Sequence, residues 1–221
     1  MNRKLEVCTF NLDDLEIAAK NKVSRIEVCI NKNYGGITPP YHHIIDAISL
    51  GVNIHPIIRP RAGNFIYTPK EINSIINDVR FCRENNCSGV VLGVLDSNNE
   101  VDISNCKKII KESGDMSLTF HRAFDETIKP YESMEKIIDL GFDRILTSGQ
   151  EEKASDGVSL INKLVKQSKG RISIMPGSGI RASNVDLFLE NNGISEIHSS
   201  CYINGSFSEK ELVRMINKVL K

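Results

Sequence analysis

No tryptophan occurs in the 221 residues, and only 8 phenylalanines and 5 tyrosines do, so the core must be filled by aliphatic side chains. Net charge is missing too. The 28 lysines and arginines match the 28 aspartates and glutamates, which removes the long-range field that draws a chain onto nucleic acid or an anionic membrane. Neither is expected as a partner. No apolar run reaches the roughly 18 residues of a membrane helix, and "MNRKLEVC" holds no apolar stretch of signal-peptide length. A cytoplasmic location is the expectation. The 6 cysteines include no Cys-x-x-Cys pair, so neither a zinc ribbon nor a thioredoxin-type motif is supported, and in a reducing compartment they stay thiols.

What is present is a strict alternation of short apolar runs with amphipathic stretches. The runs "KLEVCT", "RIEVCI", "NIHPIIRP", "GVVLGVLD", "MSLTFHRAFD", "RILTSGQ", "ISIMPGSGI" and "EIHSS" each precede a helical stretch, from "LDDLEIAAKN" to "SEKELVRMINKVLK". Several helices stop on glycine, as in "SLGV" and "DLGF", where a left-handed residue is easiest. Eight βα units imply a parallel sheet with helical crossovers and fit a closed (β/α)8 TIM barrel, an α/β fold, as one domain over residues 1–221. The long connection "PRAGNFIYTPK" is expected to arch over the barrel mouth.

Working groups of such a barrel sit at the C-terminal ends of its strands. Side chains alternate along a strand, so Leu5 and Val7 should meet the helices while Glu6 and Cys8 face the interior; Ile26, Val28, Glu27 and Cys29 repeat the pattern. Buried carboxylates need partners, and Arg59, Arg61 and Arg122 are the cations expected near Glu6 and Glu27. Cys8 and Cys29 are either packing or a two-sulfur seat for a soft ion such as Cu(I), since adjacent strands lie about 4.8 Å apart. In "LTFHRAFD", His121 is suited to proton transfer and Asp125 to orienting it or holding an arginine. His55, Arg59 and Arg61 follow strand three, the two guanidiniums forming a candidate anion clamp. Ser148, then Gly177, Ser178 and Gly179, then His198, Ser199 and Ser200 follow strands six to eight, where barrels often hold a phosphate. Tight-turn geometry alone also explains the glycines.

The segments "LEVC", "RIEVC", "GGITP", "HPIIRPRAGNFIY", "GVLDSNNEVD", "LTFHRAFD", "LTSGQ", "GSGIRASNV" and "EIHSS" together resemble the CutC family, over residues 5–200. The resemblance implies a (β/α)8 barrel, a homodimer or higher homo-oligomer, and Cu(I) as ligand, with Cys8 and Cys29 matching cysteines suggested to bind it. Thr9 stands where some relatives carry another cysteine, and many relatives run on beyond "CYINGSF", which speaks against multi-copper binding and leaves the oligomer interface open. Two functions follow. One is copper binding at Cys8 and Cys29. The other is an enzyme acting by acid/base chemistry on a small anionic or phosphorylated metabolite, with His121, Glu6 and Glu27 moving protons and Arg59 and Arg61 holding the anion. A ligand-sensing barrel without turnover would use the same anion site.

Overall fold

Every strand of the alternation forms, and each inward position is decided by the period of two. The computed structural model describes residues 3–220. Its parallel strands are β1 (Lys4–Thr9), β2 (Arg25–Val28), β3 (Ile54–Pro56), β4 (Gly89–Leu92), β5 (Ser117–Phe120), β6 (Arg144–Thr147), β7 (Ser173–Pro176) and β8 (Glu196–Ser199). The helices between and after them are α1 (Leu12–Lys20), α2 (Tyr41–Ser49), α3 (Pro69–Glu84), α4 (Ile103–Ser113), α5 (Pro130–Asp139), α6 (Val158–Ser168), α7 (Asp186–Leu189) and α8 (Glu209–Val219). The ladder runs β3-β2-β1-β8 on one side and β4-β5-β6-β7 on the other. A parallel bridge from Ile57 to Val91 joins β3 to β4, and β7 packs beside β8, completing a (β/α)8 TIM barrel. No helix among the described residues is long and apolar enough to cross a membrane.

Helix starts are written locally. Asn11 accepts the Asp14 N–H at 2.9 Å, and Asp102 accepts that of Asn105 at 2.9 Å. Thr68 and Glu71 form a reciprocal capping box with Pro69 in the first turn of α3. Two stretches depart from expectation. "ASNVDLFLENNG" is helical only over Asp186–Leu189, because Asn184 accepts the Arg181 N–H at 2.8 Å and donates to the Gly179 carbonyl at 3.0 Å, holding a turn instead. Before α8 an antiparallel hairpin of β9 (Tyr202–Ile203) and β10 (Ser206–Phe207) intervenes, turning on Asn204 (φ 50°) and Gly205 (φ 87°). "YINGSF" carries the Asn-Gly signal for that turn.

The core is double. Leu5, Val7, Ile26 and Val28 lie in the large layer between barrel and helices, while Cys8, Cys29, Ile57 and Val91 form a small apolar cluster inside the barrel with Phe10 against it. The "PRAGNFIYTPK" connection buries Phe65 and Tyr67 and pins to the strand-four loop through the Leu95 N–H on the Phe65 carbonyl at 2.9 Å. It walls the mouth rather than arching free above it.

Candidate functional site

A polar column climbs the barrel interior from the floor to the mouth. At the floor the period that turns Glu27 inward also turns Arg25 inward, and the same alternation in β6 brings in Arg144. Arg25 bonds Glu6 through Nε and Glu196 through a terminal nitrogen at 2.6 Å; Arg144 Nε lies 3.3 Å from Glu196. Two guanidiniums therefore cancel two carboxylates in a dry interior. The cations expected at Glu6 and Glu27 are thus corrected: Glu6 pairs with Arg25, and none of Arg59, Arg61 and Arg122 reaches either acid, because all three are engaged at the rim.

Above the floor, His198 Nδ1 stands 2.7 Å from Glu6 Oε1, and its Nε2 lies 3.9 Å from Glu27 Oε2. Burial alone would raise the Glu6 pKa, but the Arg25 charge and the His198 hydrogen bond override it and hold Glu6 well below the usual carboxylate range. Burial raises Glu27, opposed in part by His198. Burial would lower His198, yet its bond to Glu6 and the charges of Glu27 and Glu6 raise it. With the floor neutralised, Glu27 and His198 face each other across 3.9 Å, each with its proton affinity raised.

Next come the thiols. Cys8 Sγ lies 3.5 Å from Cys29 Sγ, and the two sulfurs with a Glu27 oxygen fall within 4.8 Å of one another. Burial, their mutual contact and Glu27 push Cys8 far up; burial first, then Glu27, pushes Cys29 to about 12. Both are neutral thiols at ordinary pH. In softness the pair suits Cu(I), although two protons would have to leave a nearly dry site beside Glu27.

The column opens into a cavity of about 360 Å³ bordered by Cys8, Glu27, Arg59, Phe65, His121, Arg122, Asp125, Ser178, His198 and Ser200, with Phe10, Tyr34, Gly35, Ile57, Leu146 and Glu126 completing the wall. Arg59 is buried and donates to the carbonyls of Tyr34 (2.7 Å), Gly36 (3.1 Å) and Gly63 (2.9 Å), with its guanidinium over the Phe65 ring. No carboxylate among the described residues pairs with it, and its Nε has no partner. Arg61 is turned away, bonded to Glu71 at 2.5 Å and to the carbonyls of Asn64 and Ile66, and does not border the cavity. The expected twin-guanidinium clamp is therefore a single buried cation.

His121 accepts the Ala123 N–H on Nδ1 at 3.2 Å, packs on Phe65 at 4.8 Å between ring centres, and leaves Nε2 without a partner among the described residues. Burial, with the Arg59 charge, lowers its pKa to about 3, so the ring is neutral rather than poised for proton exchange near pH 7. Asp125 does not orient it. Asp125 instead bonds Arg122 at 2.8 Å, the Thr147 hydroxyl, and the Ser148 and Gln150 N–H groups, anchoring the loop after β6. Ser148 is thereby a loop anchor behind the cavity.

His55 lies in the interior against Gly89 with Nδ1 unpartnered, away from the mouth, and burial lowers it to about 3. Gly177, Gly179 and Ser199 also stand off the cavity: a side chain at Gly177 would strike Leu146, and Ser199 donates to the Ile180 carbonyl at 2.8 Å. Sequence reading missed Arg25 and Arg144, though Arg25 sits two residues before Glu27, whose inward side alternation had already indicated.

Residues 3–203 match the profile of the CutC family. The chain belongs to the CutC family. A CutC protein of Klebsiella pneumoniae is 42% identical over 197 residues, 89% of this chain and 79% of that one. The crystal structure of the CutC protein of Streptococcus agalactiae, whose name proposes a part in copper homeostasis, superposes with a TM-score of 0.84 at 33% identity, covering 90% of this chain and 98% of that one. A thiamine phosphate pyrophosphorylase from Pyrococcus furiosus shares the barrel at a TM-score of 0.65 but only 14% identity, covering 100% of this chain and 98% of that one, a likeness of fold alone.

Proposed function

We propose that this CutC-family chain is an enzyme that carries out acid/base chemistry on a small anionic metabolite held in the barrel mouth. The observation that carries the reading is His198 set between two buried carboxylates, Glu6 and Glu27, beside a cavity of about 360 Å³. Glu6, fixed as a carboxylate by Arg25, orients the imidazole through Nδ1 and leaves Nε2 toward Glu27. His198 and Glu27 then give or take a proton, and Arg59, a buried cation without a carboxylate partner, favours an anion.

The test is a panel of small carboxylates and phosphates screened by ligand-detected NMR against the native chain, Arg59→Lys and His198→Gln. A bound anion that loses about tenfold or more in affinity in Arg59→Lys, and whose turnover disappears in His198→Gln, is the expected result. Equal binding by all three proteins, or no binder at all, would remove the proposal.

The 3.5 Å approach of Cys8 and Cys29 favours a second reading, Cu(I) binding, in which the two sulfurs would hold the ion and Glu27 would lie alongside. Titration of Cu(I) against a strong competing chelator decides it. Tight binding should vanish in the Cys8→Ser/Cys29→Ser double variant; binding that survives the substitution, or that loses to ordinary thiols, rejects the copper site.

A further inference from the structure

His121 is the buried polar group that the acid/base pair does not use. Its ring is locked on three sides: Phe65 packs against it at a tilt of 53°, the Ala123 N–H occupies Nδ1, and Gly93 leaves the space the ring fills. A Cβ at position 93 would sit 2.6 Å from Nδ1, which no ordinary contact allows. With Nδ1 acting as acceptor, the proton of the neutral ring must be on Nε2, and that N–H has no acceptor among the described residues. A buried donor left unpaired is unfavourable and rare, so its retention in a cavity wall points to an acceptor that arrives with the ligand.

We propose that His121 is the neutral electrophile of this site, its Nε2–H bonding the carbonyl oxygen of a bound 2-oxo acid or hydroxyketone anion whose α-proton is removed. The inference rests on the acid/base reading above and specifies its reaction class, enolisation. The α-carbon–hydrogen bond breaks, its electron pair becomes the carbon–carbon double bond of the enolate, and the carbonyl π pair moves onto oxygen. The proton passes to the acid/base pair facing the cavity and returns to carbon in the reverse step, so no redox partner or second substrate is needed. A neutral imidazole is suited to the oxygen, because it donates a hydrogen bond without protonating the carbonyl outright. The buried Arg59 charge, its terminal nitrogens committed to the carbonyls of Tyr34, Gly36 and Gly63, borders the same cavity and favours the anionic end there.

Exchange of α-protons into heavy water, followed by proton NMR, tests the inference with pyruvate, 2-oxobutyrate, 2-oxoglutarate and dihydroxyacetone phosphate as probes. At least one should lose its α-proton signal faster with native protein than with buffer. His121→Leu should slow that exchange by roughly 10²–10³, the usual effect of deleting an oxyanion donor, while binding of the same probe changes only a few-fold. His121→Gln, which keeps an N–H donor, should restore exchange to within about tenfold of native. His121→Leu removes one unpaired donor but strips the buried Ala123 N–H of its acceptor, so exchange and not melting is the deciding readout; a purely packing role for the imidazole predicts unaltered exchange. Exchange at the native rate in His121→Leu overturns the role of His121. No exchange of any probe by native protein overturns enolisation, whereas the acid/base reading falls separately, by anion binding that ignores Arg59 and His198.

Discussion

His198 and His121 border the same cavity, and the barrel treats them in opposite ways. On the β1, β2 and β8 side, His198 stands between Glu6 and Glu27, whose charges raise its pKa. On the β4 and β5 side, His121 meets Phe65, Gly93 and Ala123, and desolvation with the Arg59 charge drops it to about 3. One wall favours the protonated ring and the other the neutral one. Two histidines of identical intrinsic chemistry are thereby given opposite proton affinities, and the proposed enolisation would use one as acid/base and the other as neutral donor.

The charged wall can be broken most drastically at its base. Arg25→Met leaves Glu6 and Glu196 buried without their shared guanidinium and should lower unfolding free energy by about 3–5 kcal/mol in urea titration. A loss under about 1 kcal/mol would show that the network is not what stabilises the floor.

The neutral histidines should make the fold sensitive to acid. For His55 and His121 the folded pKa, about 3, lies below the unfolded value near 6.5, so the unfolded chain binds protons that the folded chain refuses. Stability is full above about pH 6.5 and falls toward pH 3, by up to about 1.4 kcal/mol per pH unit for each ring. Urea titrations at pH 7 and pH 5 should show a smaller difference in His55→Leu/His121→Leu than in the native chain, and an identical pH dependence would refute neutral burial. His198 has the opposite sign. Its folded pKa is raised, so its contribution is present below about pH 6.5 and disappears as pH climbs through the folded value; His198→Gln should flatten that alkaline side.

Gly93→Ala attacks the neutral wall alone. The new methyl collides with His121, and a loss of roughly 1–3 kcal/mol is expected with the Glu6, His198 and Glu27 arrangement intact. An unchanged His198 imidazole NMR titration alongside reduced stability would confirm that the walls are separable, while a shifted titration would show them coupled. The smallest effect belongs to neither wall: Thr68→Ala removes half of the α3 capping box and should cost about 1 kcal/mol in thermal or urea melts, with both histidine titrations unmoved.

Much of this was legible before folding. Alternation in "KLEVCT" and "RIEVCI" placed Glu6, Cys8, Glu27 and Cys29 inside, and the turn and cap residues marked where each βα unit begins and ends. The same alternation contains Arg25 two residues before Glu27, and a charged residue on an inward position is itself the informative sign. Arg59 and Arg61 look equivalent in "RPRAG", yet one crosses under the loop to three carbonyls and the other turns out to Glu71. Nothing in their local spacing separates them, because the acceptors come from distant turns.

The sequence by itself determined the barrel, its inward faces and the family to which the chain belongs, since periodicity, caps and motifs are local properties of neighbouring residues. Only the tertiary structure decided which cation meets which acid and which histidine stays neutral. Those outcomes depend on register and burial between strands far apart in the chain: Arg25 and Glu196 are 171 residues apart, and Glu6 and His198 are 192. A proton's affinity for a side chain is set by the charges and water around it, and that surrounding exists only once the barrel has closed.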